Sequence, residues 1–271
     1  MAVDDEGEEL GRRIRSLEMH ENEFGVDPFG LSRRHIASAM PFVHALYRYY
    51  FRTEVFGIQQ VPTRGRLLLV ANHGGALPFD GLVVVSSMLF EPDPPRLVRS
   101  MVENFVPSMP FASYLMPRWG QILGTPENCR RLLEQEEAIL VFPEGARGVG
   151  KPFSKRYQLE PFGHGFMRLA LETHAPIVPV AVIGAEEQTI AINAKPLAKA
   201  FGLPSFPIAP YPPFVPLPLP VKYRLHFGEP MHFAGDPDDD EDVIEEKVRA
   251  VRHRVQSLIH VGLRGRKHVF W

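Results

Sequence analysis

The sequence predicts an α/β fold: a mainly parallel β-sheet flanked by helices, with an N-terminal helical segment and a C-terminal helix. Two observations support this fold class. From residue 61 onward, short apolar runs typical of strands alternate with longer segments typical of helices, which is the pattern of a layered α/β structure. The chain then ends in a long amphipathic segment with acids at its start and bases at its end, as the helix dipole favours.

Five short apolar runs are predicted as strands, with helices between them. The predicted strands are 66–71, 96–101, 138–142, 176–183 and 222–228, and the predicted helices lie near 79–90, 104–116, 126–136 and 161–174. The terminal helix is predicted over 238–267. Its apolar face is expected to contain Val243, Ile244, Val248, Val251, Val255, Leu258 and Ile259.

Residues 1–54 are predicted to form an N-terminal helical segment, and residues 55–271 the α/β domain. Within the first part, residues 36–51 combine aromatic side chains with flanking arginines. The favoured interpretation is a helix that packs on the core, because apolar stripes usually face cores. The alternative is an interfacial helix with its basic ends near lipid phosphates.

Composition excludes several classes of protein. The formal net charge of −2 shows no basic excess of the kind that nucleic-acid binding needs. A single cysteine, Cys129, rules out an internal disulfide and fits a reducing compartment. The acidic N-terminus lacks the apolar core of a signal peptide. We therefore expect a cytoplasmic location.

Residues 202–221 carry no charge and match the length of a membrane span, but eight of the twenty are proline. Each interior proline costs a helix about 3 kcal/mol, so a spanning helix is rejected in favour of an extended, partly polyproline-like strap. The P-x-x-P spacings at 207–210 and 213–216 leave a peptide-binding interpretation open, although the flanking apolar residues favour packing.

Unusual residues follow the first predicted strand, in the stretch "NHGGALPFDG" at 72–81. Open α/β sheets bind ligands beyond the carboxyl ends of their strands. His73 titrates near neutral pH, and a carboxylate from Asp80 could fix its tautomer and leave the other ring nitrogen free to remove a proton. The competing interpretation is that His73 bonds a backbone group and Asp80 only caps the helix.

The second such loop is "PEGARGVGK" at 143–151, after the strand at 138–142. Its spacing matches a phosphate-cradling nucleotide loop, but Pro152 stands where that loop needs Ser or Thr. We therefore treat the match as accidental. Arg147 and Lys151 could still hold a phosphate, while the competing interpretation is a surface ion pair.

Other kinds of catalytic centre are not indicated. The sequence has no G-x-S-x-G nucleophile elbow, and Cys129 has no local signature of a nucleophile. The histidines at 164, 174, 226 and 232 are scattered without metal-ligand spacing. No metal or redox cofactor is expected.

Taken together, the two loops resemble the glycerolipid acyltransferase family, whose best-known members acylate lysophosphatidic acid. The family blocks read here as Asn-His…Asp at 72–80, Phe-Pro-Glu-Gly-Ala-Arg at 142–147 and "APIVPV" at 175–180, and the resemblance spans about residues 55–230. It implies that His73 is a general base and Asp80 its partner. It also implies an acceptor-phosphate site formed by Glu144, Gly145 and Arg147. Asn72, Gly74 and Lys151 complete the set of predicted substrate-binding residues.

Two departures from the family pattern stand out. Six residues separate His73 from Asp80 where the family usually has four, and Thr125-Pro126 stand where the family has a substrate-binding arginine. Because both members of the His–Asp pair are present, we expect an active member with a lengthened loop. A weaker phosphate site would suit an acceptor less charged than lysophosphatidic acid.

The resemblance implies direct transfer of a fatty acyl group from a thioester donor, acyl-CoA or acyl-ACP, to a hydroxyl of a lysophospholipid or other glycerolipid. Such an enzyme would act at a membrane surface, peripherally on the inner face, and residues 36–52 and 202–221 are the candidate contacts. Two alternatives remain open: a catalytically silent lipid- or membrane-binding module on the same fold, and a thioesterase-like hydrolase.

Overall fold

The structure is a computed structural model that describes residues 2–74, 79–103, 111–149, 151–188, 192–193, 207–208 and 218–270. Its helices are Ala2–Ser16 (α1), Arg33–Ala45 (α2), Phe79–Phe90 (α3), Ala112–Arg118 (α4), Pro126–Glu134 (α5), Ala146–Val149 (α6), Gly165–Thr173 (α7) and Glu241–Arg264 (α8). A π-helical turn, Leu46–Tyr50, continues α2. Its strands are Glu54–Phe56 (β1), Leu67–Ala71 (β2), Val98–Val102 (β3), Ile122–Leu123 (β4), Ala138–Val141 (β5), Ile177–Ile183 (β6), Ile192–Asn193 (β7), Pro207–Ile208 (β8) and Arg224–Phe227 (β9).

Seven of the strands in the described part of the chain form one sheet in the order β1-β9-β6-β2-β5-β3-β4. All neighbouring pairs are parallel except β6 and β9, which are antiparallel. β7 and β8 form a separate antiparallel pair. The mainly parallel sheet of the predicted fold class is thus confirmed, and β2 lies at its centre.

The sheet is buried on both faces, which explains why its central strands have continuous apolar sequences. Successive residues of a strand point to opposite faces. In β2, Leu68 and Val70 belong to one apolar cluster with α5, α7 and α8, whereas Leu67, Leu69 and Ala71 belong to a second with α3 and the π-helical turn. Two helical layers therefore hold the carboxyl end of β2 in a fixed position.

Most of the residues predicted on the apolar face of helix α8 are buried in the structure. Ile244, Val248, Val251, Val255 and Ile259 are buried against the sheet, and Leu258 packs beside them. Val243 was predicted on this face, but it is 43% exposed. The reason is that it lies one residue, about 100° of rotation, before Ile244.

The N-terminal helices pack on the domain by one face. Ile36 and Val43 of α2 are buried, whereas Phe42 is 66% exposed and Tyr49 59% exposed. The Tyr49 hydroxyl donates to the Glu6 carboxylate at 2.8 Å. The apolar stripe of α2 thus packs on the protein core, which is the interpretation favoured from the sequence. Phe42 and Tyr49 remain exposed to solvent.

The remaining predictions have mixed outcomes. The strands and helices match within a few residues, but the short strands β1 and β4 were not predicted. The helix predicted at 104–116 is described only as α4, since 104–110 lie outside the described residues. Most of the proline-rich stretch 202–221 also lies outside them. None of the helices described is both long and apolar enough to cross a bilayer.

Candidate active site

The two loops singled out in the sequence lie at the same edge of the sheet. β2 and β5 are parallel neighbours, with Leu67 opposite Ala138 and Val70 opposite Val141. The segment that begins at Asn72 therefore leaves the sheet beside the segment that begins at Phe142. Because parallel strands end at the same edge, the two loops meet at the carboxyl edge, where open α/β sheets bind ligands.

His73 and Asp80 form a close pair across the lengthened loop. Nδ1 of His73 lies 2.6 Å from Oδ2 of Asp80, which is fully buried in the first turn of α3. Asp80 also accepts the N–H groups of Gly74 at 3.1 Å and Gly81 at 2.8 Å. We take Asp80, which accepts two backbone N–H groups, as a carboxylate; a carboxylate has no proton to donate, so Nδ1 carries the proton of the 2.6 Å contact. Nε2 then has the free lone pair that a general base needs.

The imidazole is held but not enclosed. The His73 side chain is 17% exposed, and its ring stacks on Phe142 with centroids 4.4 Å apart and an interplanar angle of 25°. Burial lowers the His73 pKa, but the charge of Asp80 and its hydrogen bond outweigh burial, with smaller contributions from Glu144 and Glu103. The net effect raises the His73 pKa above its ordinary value of 6.5.

Glu144 fixes the backbone of His73 from the second loop. Its Oε1 accepts the His73 backbone N–H at 2.9 Å, and its Oε2 accepts the Glu160 N–H at 2.8 Å and a proton of the Lys151 ammonium at 3.1 Å. The Glu144 side chain is fully buried. Both Glu144 oxygens thus accept hydrogen bonds from the protein. The bond to His73 joins the loop after β5 to the loop after β2.

Lys151 was predicted to bind phosphate, and the structure places it inside the protein. Its side chain is 3% exposed and lies between the carboxylates of Glu144 and Glu186, each 3.1 Å from Nζ. Nζ also donates to the Gln158 carbonyl oxygen at 3.1 Å. An ammonium has three donors, so these three acceptors use all of them.

Arg147 lies on the outer side of the same loop. It is exposed, and its Nη2 donates to the Pro161 carbonyl oxygen at 3.0 Å. Gly145 takes a positive φ of 56° at the start of this turn, which glycine adopts readily. Among the predicted phosphate ligands, Arg147 is the one with an exposed side chain, while Gly145 contributes the turn that leads to it.

Asn72 and Gly74 flank His73 and face the protein. The buried Asn72 amide donates to the Val182 carbonyl oxygen at 3.0 Å and accepts the Val182 N–H at 2.7 Å, which ties the end of β2 to β6. A Cβ on Gly74 would lie 2.2 Å from Cγ of Glu186, so glycine permits this close packing. The Gly74 N–H donates to Asp80. In the structure, Asn72 and Gly74 thus fix the backbone on either side of His73.

Three residues near the site were not among the predicted site residues: Phe142, which was noted only as part of the block at 142–147, Gly148 and Glu186. Phe142 is the stacking partner of His73. A Cβ on Gly148 would lie 2.9 Å from Cβ of His73, so α6 can approach the base because residue 148 is glycine. The glycine-rich turn was a signal for such an approach. Glu186 had none, because it comes 35 residues after the lysine that it contacts.

The other candidate groups have ordinary structural surroundings. Burial raises the pKa of Cys129 to about 11, which keeps it a thiol. His164 pairs with Glu245 at 2.9 Å, and His226 stacks on Phe56. In the part of the chain that is described, no three His, Cys, Asp or Glu side chains are grouped as metal ligands.

Comparison with known proteins identifies the family of the chain. The family model described as "Acyltransferase" matches residues 52–183. A protein of Mycobacterium tuberculosis strain H37Rv described as uncharacterized is 38% identical over 261 residues, covering 92% of this chain and 71% of that protein. The 1-acyl-sn-glycerol-3-phosphate acyltransferase alpha of Mus musculus is 28% identical over 148 residues, 52% of this chain and 48% of that one.

Among solved structures, the fold is similar to that of the 1-acyl-sn-glycerophosphate acyltransferase of Thermotoga maritima. The TM-score is 0.50 at 16% identity, and the match covers 93% of this chain and 88% of the other. At this identity the likeness concerns the fold. The family model and the sequence relatives lead to one conclusion: the chain belongs to the acyltransferase family.

Proposed function

We propose that this acyltransferase moves a fatty acyl group from a thioester donor, acyl-CoA or acyl-ACP, to a hydroxyl of a lysophospholipid or another glycerolipid, with His73 as the general base. The observation that carries the proposal is the 2.6 Å contact between His73 Nδ1 and the buried Asp80 carboxylate, at the edge of the sheet where ligands bind.

The transfer needs no covalent enzyme intermediate. Nε2 of His73 takes the proton of the acceptor hydroxyl as its oxygen attacks the thioester carbonyl. The C–S bond then breaks, and the departing thiolate takes the proton from the imidazolium. Asp80 holds the ring in the correct tautomer and stabilises the imidazolium. A positioned base of this kind contributes roughly 10²–10⁴ in rate.

The acceptor phosphate is assigned to Arg147. Its guanidinium is exposed, and its Nη2 donates to the Pro161 carbonyl oxygen. Arg147 directly precedes Gly148, where an added Cβ would lie 2.9 Å from Cβ of His73, so Arg147 adjoins a residue that packs against the base. A guanidinium holds a phosphate by two parallel hydrogen bonds. Since one cation makes a modest phosphate site, lysophospholipids and less charged glycerides are both retained as acceptors.

A membrane surface is the proposed source of the acceptor, with the protein bound peripherally on the inner face. Phe42 and Tyr49 are exposed on α2 and the π-helical turn, and amphipathic helices with exposed aromatics bury them at the lipid boundary. We expect Phe42→Ala to weaken binding to anionic liposomes in a flotation assay. Val261→Ala, which trims an exposed apolar side chain of α8, is the control and should leave binding unchanged.

Two alternative functions are separated by one assay. Purified protein is given acyl-CoA or acyl-ACP with and without a mixture of lysophospholipids and monoacylglycerols. Thiol release is followed, and lipid products are identified by mass spectrometry. The proposal predicts thiol release that depends on the acceptor, with a matching acylated lipid. Release that ignores the acceptor would indicate a hydrolase, and no release with any pair would indicate a silent lipid-binding module.

A further inference from the structure

We propose that Lys151 is a positioning residue for His73, acting through Glu144, rather than a ligand of the acceptor phosphate. The proposal rests on the proposed function in that His73 is taken as the base. It assigns Lys151 a role that neither its sequence motif nor the family resemblance gives it.

The surroundings of Lys151 leave it no donor for a substrate. Its three ammonium protons go to Glu144, Glu186 and the Gln158 carbonyl oxygen, each at 3.1 Å. Its side chain is only 3% exposed. A phosphate could bind this ammonium only by displacing a carboxylate or the Gln158 carbonyl oxygen, and its own charge would then lie beside two buried carboxylates.

The contacts of Glu144 connect this ammonium to the base. The Glu144 oxygen that Lys151 does not touch accepts the backbone N–H of His73 at 2.9 Å. A single carboxylate, that of Glu144, therefore bridges Nζ of Lys151 and the main chain of His73. Because that carboxylate also accepts the Glu160 N–H at 2.8 Å, it is held on both sides and fixes where His73 leaves the sheet.

Glu186 contacts the same loop through a second set of bonds. Its Oε1 pairs with Lys151 and its Oε2 accepts the Tyr157 N–H at 2.8 Å, while its Cγ packs against the α-carbon of Gly74. Burial raises the Glu186 pKa. Lys151 thus separates two buried carboxylates that underlie the His73–Gly74 backbone, and without it they would repel each other.

Loss of Lys151 should therefore displace Glu144 and, with it, the imidazole relative to Asp80. A displacement of about 1 Å in a catalytic group can cost on the order of 10²-fold in rate. A residue that only bound the acceptor would instead affect KM. The two roles predict different kinetics from the same variant.

The test uses the full chain with Lys151→Met, and Lys155→Met as the matched control. Lys155 lies four residues further on in the same segment, and its side chain is exposed. One readout is kcat and KM for each acceptor, with the folded fraction measured by circular dichroism. The other is the pair of ¹⁵N chemical shifts of the His73 imidazole, assigned with His73→Asn, which report tautomer and hydrogen bonding without requiring activity.

The proposal predicts that Lys151→Met lowers kcat by roughly 10- to 100-fold, leaves KM for every acceptor within about twofold, and shifts the His73 ¹⁵N signals. Lys155→Met should match the wild type in all three. Adding Glu186→Gln to Lys151→Met removes one of the facing charges and should recover part of kcat. Unchanged His73 signals, or a raised KM for phosphate-bearing acceptors alone, would overturn the proposal.

Two further results keep the outcome decisive. If Lys151→Met does not fold, Glu144→Gln takes its place, because its single acceptor oxygen cannot accept from His73, Glu160 and Lys151 together. Wild-type kcat with unchanged His73 signals in that variant overturns the proposal. If His73→Ala retains full activity, the base assignment has failed, whereas the ¹⁵N shifts still show whether Lys151 positions the imidazole. Failure of the two proposals is thus distinguishable.

Discussion

Two buried clusters of similar composition lie at opposite ends of strand β5. Before the strand, Arg99 pairs with Asp27 at 2.6 Å and with Glu137 at 3.0 Å, and its side chain is fully buried. After the strand, Lys151 pairs with Glu144 and Glu186. Each cluster holds one buried cation between two carboxylates, so net charge does not distinguish them.

The clusters differ in what their carboxylates hold. Asp27 also accepts the N–H groups of Phe29 and Leu31, each at 2.8 Å, and so fixes the loop before α2. Glu144 accepts the N–H of His73, whose ring reaches the surface. The cluster at the amino end of β5 thus fixes the loop before α2, and the cluster at its carboxyl end fixes the backbone of His73. We therefore propose that the same electrostatic arrangement serves stability at the amino end of β5 and, under the proposed function, chemistry at its carboxyl end.

The largest expected effect on turnover lies at the carboxyl end. Asp80→Asn keeps the size of the side chain but removes the charge that fixes the His73 tautomer. We expect kcat to fall on the order of 10²–10⁴-fold. Steady-state acyl transfer measures it, with Asp242→Asn as the control because Asp242 is exposed on α8. Wild-type turnover in Asp80→Asn would remove the basis for assigning chemistry to this end.

The matching change at the amino end should act on folding. Arg99→Met leaves Asp27 and Glu137 buried without their cation, and breaking such a group costs about 3–5 kcal/mol. Urea unfolding should show this loss, while kcat per folded molecule stays at the wild-type value. Arg64→Met, at a largely exposed pair with Glu18, should be nearly neutral. A fall in kcat without loss of stability in Arg99→Met would contradict the division between the two ends.

Gly148→Ala sharpens the comparison without changing any charge. The new methyl group would lie 2.9 Å from Cβ of His73 and 2.9 Å from its carbonyl oxygen. We expect kcat to fall by about 10²-fold through displacement of the base. Gly165→Ala is the control, because a Cβ there meets nothing within 4 Å. Equal kcat values for the two variants would show that the close contact is not needed.

The smallest expected effect is on pH dependence. A general base works as the neutral imidazole, and Asp80 raises the His73 pKa above 6.5 despite burial. Activity should therefore rise with pH, and the midpoint of kcat/KM should lie above 6.5. Arg99→Met should keep this midpoint. Asp80→Asn should move the remaining activity to lower pH, since burial alone lowers the His73 pKa. A midpoint below 6.5 in the wild type would contradict this account of the site.

The sequence predicted the fold class and the meeting of the two loops for a physical reason. Short apolar runs such as Leu67–Ala71 that alternate with longer amphipathic segments favour buried strands between helices, and parallel strands end at one edge. The short strands β1 and β4 lack enough residues to form a pattern. The sequence could not place Lys151, because a lysine in a glycine-rich turn resembles a surface residue until Gln158 and Glu186 supply its acceptors through tertiary contacts.

The central claim is that the His73 imidazole removes the acceptor proton. The most direct measurement is acyl transfer by purified His73→Ala, normalised to its folded fraction and accompanied by liposome binding. We predict a loss on the order of 10⁴-fold in kcat with unchanged liposome binding. Transfer at the wild-type rate by a folded His73→Ala protein would contradict the claim.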